Sequence, residues 1–425
     1  MKDKKASGLK KFAVSIVPSL LSILVGLLFG CVIIVIVGLV SRNFSAKSIF
    51  DGIKMIFLGL FNTGRGDNGQ ITFGFNPVTL GNVLFRAIPL IMTGLSVAFS
   101  FKTGLFNIGA SGQYLAGTAA TLFIALSIPS DVVPPFLIWV MALIGGMMAG
   151  AVWGMIPGFA KAYLNINEVL ACILTNWIAA NLVTWVFDIS NLKNAEEYGK
   201  INLIMKTTHN GVETPKMLLD KLFPGSQVNG GILVAILIAI LIFILMNKTT
   251  FGYSLRATGF NRNAARYAGI DDKTSIVLSM MFSGALAGGA AALYWLSGNT
   301  EFAWQTYQTL PAEGFNGISV ALLASSNPLG VIFSGLFMSV VTINGQQLKA
   351  MTPYNEYITD IIIAAIIYMS SFSLFFRNVI SGRKRKKAEP HEAAAAPEAR
   401  GTTMDALNKA TEEMARVASG EGKEA

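Results

Sequence analysis

The stretch FAVSIVPSLLSILVGLLFGCVIIVIVGLV, residues 12–40, runs for 29 residues without a charge. A bilayer core of about 30 Å needs about 20 apolar residues in helical form, so this run spans it with room to tilt. It is too long for the apolar region of a cleavable signal peptide, which takes about 7–15 residues. Working outward, nine more such stretches follow at 80–101, 104–127, 135–157, 168–187, 231–247, 274–296, 312–326, 329–347 and 357–376. The segment 312–326, AEGFNGISVALLASS, is short and weakly apolar, and reads as a half-helix or re-entrant piece. The fold class is therefore all-α: a polytopic membrane protein of about ten transmembrane helices.

Composition agrees. Of the 425 residues, 53% are hydrophobic and 13% charged, about half the charge of an ordinary soluble domain. That excludes a disordered chain. It also excludes a nucleic-acid binder, because the net charge of +9 gathers at the chain ends and in one loop and not on one face. Cys31 and Cys172 lie in apolar runs and read as small core residues with no disulfide between them. His209 and His391 stand far apart, so no metal-ligand cluster is expected.

Lysines and arginines near span ends set orientation. Residues 1–11 hold Lys2, Lys4, Lys5, Lys10 and Lys11, a basic cytoplasmic N-terminus. Arg377 and Arg383-Lys384-Arg385-Lys386-Lys387 follow the last span. Both ends are thus expected in the cytoplasm, which requires an even number of spans in the membrane domain 12–380. The loop 248–273 falls on the same side and carries Lys248, Arg256, Arg262, Arg266 and Lys273. The stretches 41–79 and 188–230 fall outside. The tail 381–425 has alternating charge and reads as mostly disordered, with a short helix over Thr403–Ser419.

Charges inside spans are by default functional. Arg86 is the one basic residue well within a span; it reads as partner to a carbonyl freed near Pro89 and Gly94, as partner to a carboxylate, or as a snorkelling arginine. Pro89 and Gly94 predict a kinked or broken helix. Glu168, Glu313 and Asp360 stand near span ends. This scarcity argues against an ion-coupled secondary transporter. The third span opens with Asn107, Gly109, Ser111, Gly112 and Gln113, polar for a membrane helix; these residues read either as the lining of a solute path or as packing. The fifth span carries Thr175, Asn176, Asn181 and Thr184; Asn181, Thr184 and Asp188 share a face at i, i+3 and i+7 that should meet protein or water. Glu313, Asn316 and Ser319 add neutral and acidic polarity in the eighth. A path of amides and hydroxyls suits an uncharged, hydroxyl-rich solute. Gly146, Gly150, Gly154 and Gly158, with Gly284 and Gly288, read as helix-packing faces.

The loop Tyr253-Ser-Leu-Arg256-Ala-Thr-Gly259-Phe-Asn261-Arg-Asn263-Ala264-Ala265-Arg266-Tyr267-Ala268-Gly269-Ile-Asp271-Asp272 is the most informative piece. Asn261 or Asn263 can cap a short helix through Tyr267, and Gly269 can end it. Ala264, Ala265 and Ala268 leave one side small, shaped to enter a groove on another protein.

Three segments together carry a resemblance: Gly104-Leu-Phe-Asn107-Ile-Gly109-Ala-Ser-Gly112-Gln113, Asn167-Glu168-Val169 with Asn176, and Gly259 through Ile270. The stretch Gly314-Phe-Asn-Gly317-Ile318 to Asn327-Pro328-Leu-Gly330 also fits. They resemble the permease subunits of ATP-binding-cassette importers, in the branch for branched-chain amino acids, simple sugars and nucleosides, and among these the nucleoside permeases that work with a lipoprotein receptor. The resemblance covers roughly 80–380. It implies a bacterial plasma-membrane subunit that moves a nucleoside or related neutral solute inward, with ribose or another simple sugar as the alternative. It implies three partners: a second permease, identical or different, an ATPase docked below, and an extracellular lipoprotein solute receptor. Segment 255–269 would be the helix that couples to the ATPase, through Arg256, Gly259, Asn261, Asn263, Ala264, Ala265, Arg266, Tyr267, Ala268 and Gly269. Parts of spans two, three, five and eight would line the path, giving Arg86, Asn107, Ser111, Gln113, Asn176, Asn181, Glu313 and Asn316 as candidates. No G-x-x-x-x-G-K-[ST] loop is present, so the chain is expected to bind no cofactor, to be no enzyme itself, and to rely on a partner to hydrolyse ATP. Ser111 stands where relatives commonly carry an acid.

Overall fold

A computed structural model describes residues 23–40, 45–192, 211–303, 309–355 and 357–371. Residues 12–22 of the first apolar run, both chain ends with the tail 381–425, and residues 193–210 lie outside the described residues. Each of the ten apolar stretches holds one helix. These are α1 (Ile23–Val40), α3 (Pro77–Lys102), α4 (Ala110–Ser127), α5 (Pro135–Tyr163), α6 (Glu168–Ile189), α7 (Gly231–Lys248), α10 (Asp272–Trp295), α11 (Ala312–Leu323), α12 (Pro328–Met351) and α13 (Tyr357–Ser371). Between α1 and α3 lies α2 (Ala46–Leu58), and between α7 and α10 lie α8 (Thr250–Phe260) and α9 (Arg262–Tyr267). Among the described residues, seven helices are long and apolar enough to cross a bilayer: α1, α3, α5, α6, α7, α10 and α12. The chain is thus a multi-pass membrane protein. Helix α11, with 12 residues, is about 18 Å long, well short of a core of about 30 Å.

The all-α expectation needs one correction. Residues Asn62–Arg65 (β1) and Ile71–Phe73 (β2) form an antiparallel hairpin. Its turn closes where Gly69 takes φ +69, a left-handed conformation open to glycine. The hairpin is tied to the end of α12: Asn62 Nδ2 donates to Gln347 Oε1 at 2.6 Å and Arg65 Nη2 to the Met351 carbonyl at 2.5 Å.

Helices α3 and α10 form the centre and are mostly buried. Asn76 caps α3 by accepting from the Thr79 N–H, and Pro77 occupies its first turn, where a missing N–H costs nothing. Of the kink or break expected near Pro89, a break is absent: the helix runs on to Lys102. There the Thr93 hydroxyl donates to the Pro89 carbonyl at 2.7 Å. Around this centre, α5 buries Ala142, Gly146, Gly150, Gly154 and Gly158, one stripe of near-fourfold spacing, and leaves its other side apolar and exposed. The stripe packs backbone to backbone on α10. A Cβ added at Gly150 would lie 2.9 Å from Gly288 Cα, and one at Gly284 would fall inside contact with the Gly150 carbonyl. Gly117 of α4 joins the seam, 3.1 Å from the Gly146 oxygen by the same measure. Without a hydrophobic drive between helices in lipid, such close approach is what holds them.

Candidate coupling segment and solute path

The segment 255–269, which the resemblance implied to be one coupling helix, is two. Asn261 takes extended φ −154 and ψ 104, ends α8, and caps α9 by accepting from the Ala264 N–H at 3.0 Å. Gly269, at φ +78, ends α9; its N–H returns to the Arg266 carbonyl and the Ile270 N–H to the Ala265 carbonyl, both at 3.0 Å. That is the glycine-terminated double bond typical of a helix C-terminus. The N-cap thus falls on Asn261, one of the two residues the sequence offered, and the stop on Gly269. Arg266 donates through Nε and Nη2 to Asp272 at 3.1 and 3.0 Å, and Arg262 pairs with the same carboxylate. Two arginines therefore pin α9 to the first turn of α10. The Asp272 bonds hold the Arg266 proton more tightly than usual. Asp271 caps α10, and bonds from the Thr274 hydroxyl and N–H hold its carboxyl below the usual range.

Of the ten sequence candidates here, Ala265 is buried, Arg256 and Gly259 are half-buried, and Asn261, Asn263, Ala264, Arg266, Tyr267, Ala268 and Gly269 face outward. Arg256 Nε bonds the Gly252 carbonyl of its own helix. Phe260, 94% exposed, joins Tyr267, 95% exposed. Phe260 was not among the sequence candidates. Its signal, an aromatic at the very end of a loop helix, is visible only once the break at Asn261 is known. At the base of the segment, Gly259 meets the Thr103–Gly104 turn that ends α3.

That turn opens into a polar knot. Asn107 and Gln113 exchange side-chain bonds at 2.8 and 3.2 Å, Asn107 Nδ2 donates to Ser283 Oγ at 2.7 Å, and Asn107 Oδ1 accepts the Gly109 N–H at 2.9 Å. Asn176 holds the next residues, accepting the Gly112 N–H at 2.8 Å and donating to the Ile108 carbonyl at 3.0 Å. Ser111 donates to the Pro311 carbonyl at 3.1 Å, just before α11. Ser283 in turn bonds Ser96, and Thr103 pairs with Ser279. Asn107, Ser111, Gln113 and Asn176 are all buried, so four path candidates join α3, α4, α6, α10 and α11 in the interior. Sequence reasoning did not include Ser283, because its partner lies 176 residues away.

Among the described residues, Arg86 bonds neither a carbonyl nor a carboxylate. Its Nη1 donates to the Tyr294 hydroxyl at 3.1 Å, and Tyr294 stacks on Phe85 with ring centroids 5.6 Å apart. Beside it the Tyr114 hydroxyl is buried and, among the described residues, has no hydrogen-bond partner. Glu313 and Asn316 lie half-buried on α11. Asn181 stands apart on the exposed side of α6, between Trp177 and Trp185.

With this geometry established, the chain belongs to the family described as the permease component of branched-chain amino acid transport systems, whose model matches residues 79–371. It is an integral membrane permease of the ATP-binding-cassette class. Among its relatives, the guanosine ABC transporter permease protein NupP of Bacillus subtilis is 31% identical over 89% of this chain and 99% of its own length. The nucleoside ABC transporter permease protein NupB of Lactococcus lactis is 31% identical over 75% of this chain and 90% of its own. The glucose ABC transporter permease protein TsgB13 of Haloferax volcanii is 30% identical over 70% and 77%.

Proposed function

We propose that this chain carries a nucleoside across the bacterial plasma membrane as one permease of an ATP-driven importer. A second permease, identical or different, pairs with it in lipid, a separate ATPase docks on one face, and an external lipoprotein receptor delivers solute. The observation that carries the reading is the α8–α9 segment. Two almost fully exposed aromatics, Phe260 and Tyr267, project from short capped helices whose base is locked to the interior. Exposed aromatics of this kind anchor protein interfaces, and closure of an ATPase around them would press on the Gly104 turn. The reading puts the basic loop 248–273 on the cytoplasmic side together with both chain ends, so that α8 and α9 face the ATPase. Arg86, Asn107, Ser111, Gln113, Asn176, Asn181, Glu313 and Asn316 then shape the path or the joints that move it. Nucleosides are preferred over simple sugars because two relatives of greatest coverage are named for guanosine or nucleosides; the glucose relative supports a sugar as second reading. The test is uptake of labelled guanosine, adenosine, uridine and ribose by liposomes holding the full complex. Guanosine uptake that needs both ATP and the receptor supports the reading. Uptake of ribose alone moves it to sugars, and accumulation by this chain alone under an ion gradient overturns it.

A further inference from the structure

Asn344 on α12 and Thr359 on α13 are buried side chains with the same deficit. They are 4% and 6% exposed. Asn344 gives an amide hydrogen to the Ile56 carbonyl of α2 at 2.8 Å, which fixes the end of the amide that is oxygen. Among the described residues, neither Asn344 Oδ1 nor Thr359 Oγ1 has a hydrogen-bond partner. The local chain explains the second orphan. Helical threonines elsewhere turn their hydroxyls back to the carbonyl four residues earlier: Thr93 to Pro89 at 2.7 Å, Thr118 to Tyr114 at 3.0 Å and Thr342 to Met338 at 2.9 Å. Thr359 is the third residue of α13, so four residues back lies Asn355, before the helix begins. Its own helix offers no such carbonyl.

Both residues line one cavity of about 10 Å³, completed by Ile56, Val341, Gly345, Leu348 and Ile362. Glycines bring the two oxygens to it. A Cβ at Gly345 would fall on Thr359 Oγ1, and one at Gly59, in the turn before the hairpin, would lie 2.9 Å from Asn344 Oδ1. The volume is about what one water molecule needs, with no room for a second. A purely apolar cavity of this kind stays dry, whereas one with two polar partners meets the minimum that a buried water requires. An ion does not fit: no lining residue is ionisable, so its charge would be buried without compensation.

We propose that one water molecule is a built-in part of this joint. It donates a hydrogen to Asn344 Oδ1 and accepts the Thr359 hydroxyl, so that both orphans are satisfied through it. The bridge adds a polar tie between α12 and α13. It falls where α12 also holds α2, through Ile56, and just before the residues that hold the hairpin, Gln347 and Met351. The outer end of α12 thus gathers three neighbours by polar bonds, one of them through water. The inference does not depend on the solute carried.

The test is X-ray radiolysis of the full chain in lipid nanodiscs, read by mass spectrometry. Radiolysis turns bound water into hydroxyl radicals that oxidise the side chains beside it. In the wild type, Leu348 and Ile362 should be oxidised despite their burial, while the equally buried Ile91 and Leu95 are not. Thr359→Val keeps the shape, drops the hydroxyl and should lose the signal; Thr359→Ser should keep it. In a cryo-EM map that resolves waters, one peak should stand at hydrogen-bond distance from both oxygens. Wild-type oxidation of Leu348 and Ile362 no higher than that of Ile91 and Leu95 overturns the proposal. So does undiminished signal in Thr359→Val, which would mean that bulk solvent reaches the cavity. A map in which Asn344 Oδ1 and Thr359 Oγ1 bond protein groups directly, with nothing between them, overturns it as well.

Discussion

Gly104 and Gly259 meet backbone to backbone. A Cβ on Gly104 would lie 2.7 Å from Gly259 Cα, and Gly104 itself sits at φ +74. The end of α8 and the turn after α3 therefore touch with no side chain to absorb movement. Closure of a partner around Phe260 and Tyr267 would pass through this contact into the knot at Asn107.

Gly259→Trp should abolish uptake and also lower the thermal midpoint, because even a Cβ there falls on the Thr103–Gly104 backbone. Gly104→Ala should cost about 1–2 kcal/mol from its left-handed backbone alone, seen as a lower thermal midpoint of the purified complex. Normal uptake by Gly259→Trp would remove the contact from the mechanism.

The seam of α5 and α10 gives a stability prediction with an internal control. At Gly150 an added methyl meets the carbonyl of Gly284 and the backbone of Gly288, which have nowhere to go; at Gly145 it meets the tip of the Ile124 side chain, which can turn away. Gly150→Ala should destabilise by about 1–3 kcal/mol, and Gly145→Ala by clearly less. Thermal unfolding in detergent, followed by size-exclusion elution, ranks the two. Equal midpoints would contradict the seam.

Asn107→Leu strands two groups at once, the Gly109 N–H and the Gln113 amide, and takes one donor from Ser283, whose hydroxyl keeps Ser96. Each buried unpaired group costs about 1–3 kcal/mol. Expression and midpoint should fall further than for Gln113→Leu, and solute-stimulated transport should drop while basal ATP hydrolysis persists in whatever complex assembles. Wild-type stability and transport in Asn107→Leu would remove the knot as a joint.

Asp271 supplies a pH dependence. Bonds from Thr274 lower its folded pKa beneath the unfolded one, so its stabilisation is complete above the unfolded value, about 3.9, and fades as pH falls through the folded value. Asp271→Asn should flatten that acid limb and change the midpoint little at pH 7. The effect is small, since the carboxylate is exposed to screening. An unaltered acid limb in the variant would contradict the assignment.

These residues also show what a sequence discloses. The helices were legible because each apolar run is a local, length-limited signal. The cap at Asn261 and the stop at Gly269 were legible because both act within three or four residues. The hairpin at Asn62–Phe73 was missed, as its strands are short and its anchors, Gln347 and Met351, lie at the far end of the chain. The partner of Arg86 was missed for the same reason, with Tyr294 placed 208 residues on. Asn107 and Gln113 were recognised as unusual, yet whether they face a path or one another depends on Ser283, Cys172 and Asn176 arriving from other helices.

The central claim is that ATP-driven nucleoside uptake runs through Phe260 and Tyr267. It is tested most directly by measuring guanosine uptake and ATPase retention together in complexes with wild-type chain and with the Phe260→Ala, Tyr267→Ala double variant. The account predicts that the double variant still inserts and still holds the second permease, but loses the ATPase on purification and loses uptake. Wild-type uptake with both aromatics removed would contradict it.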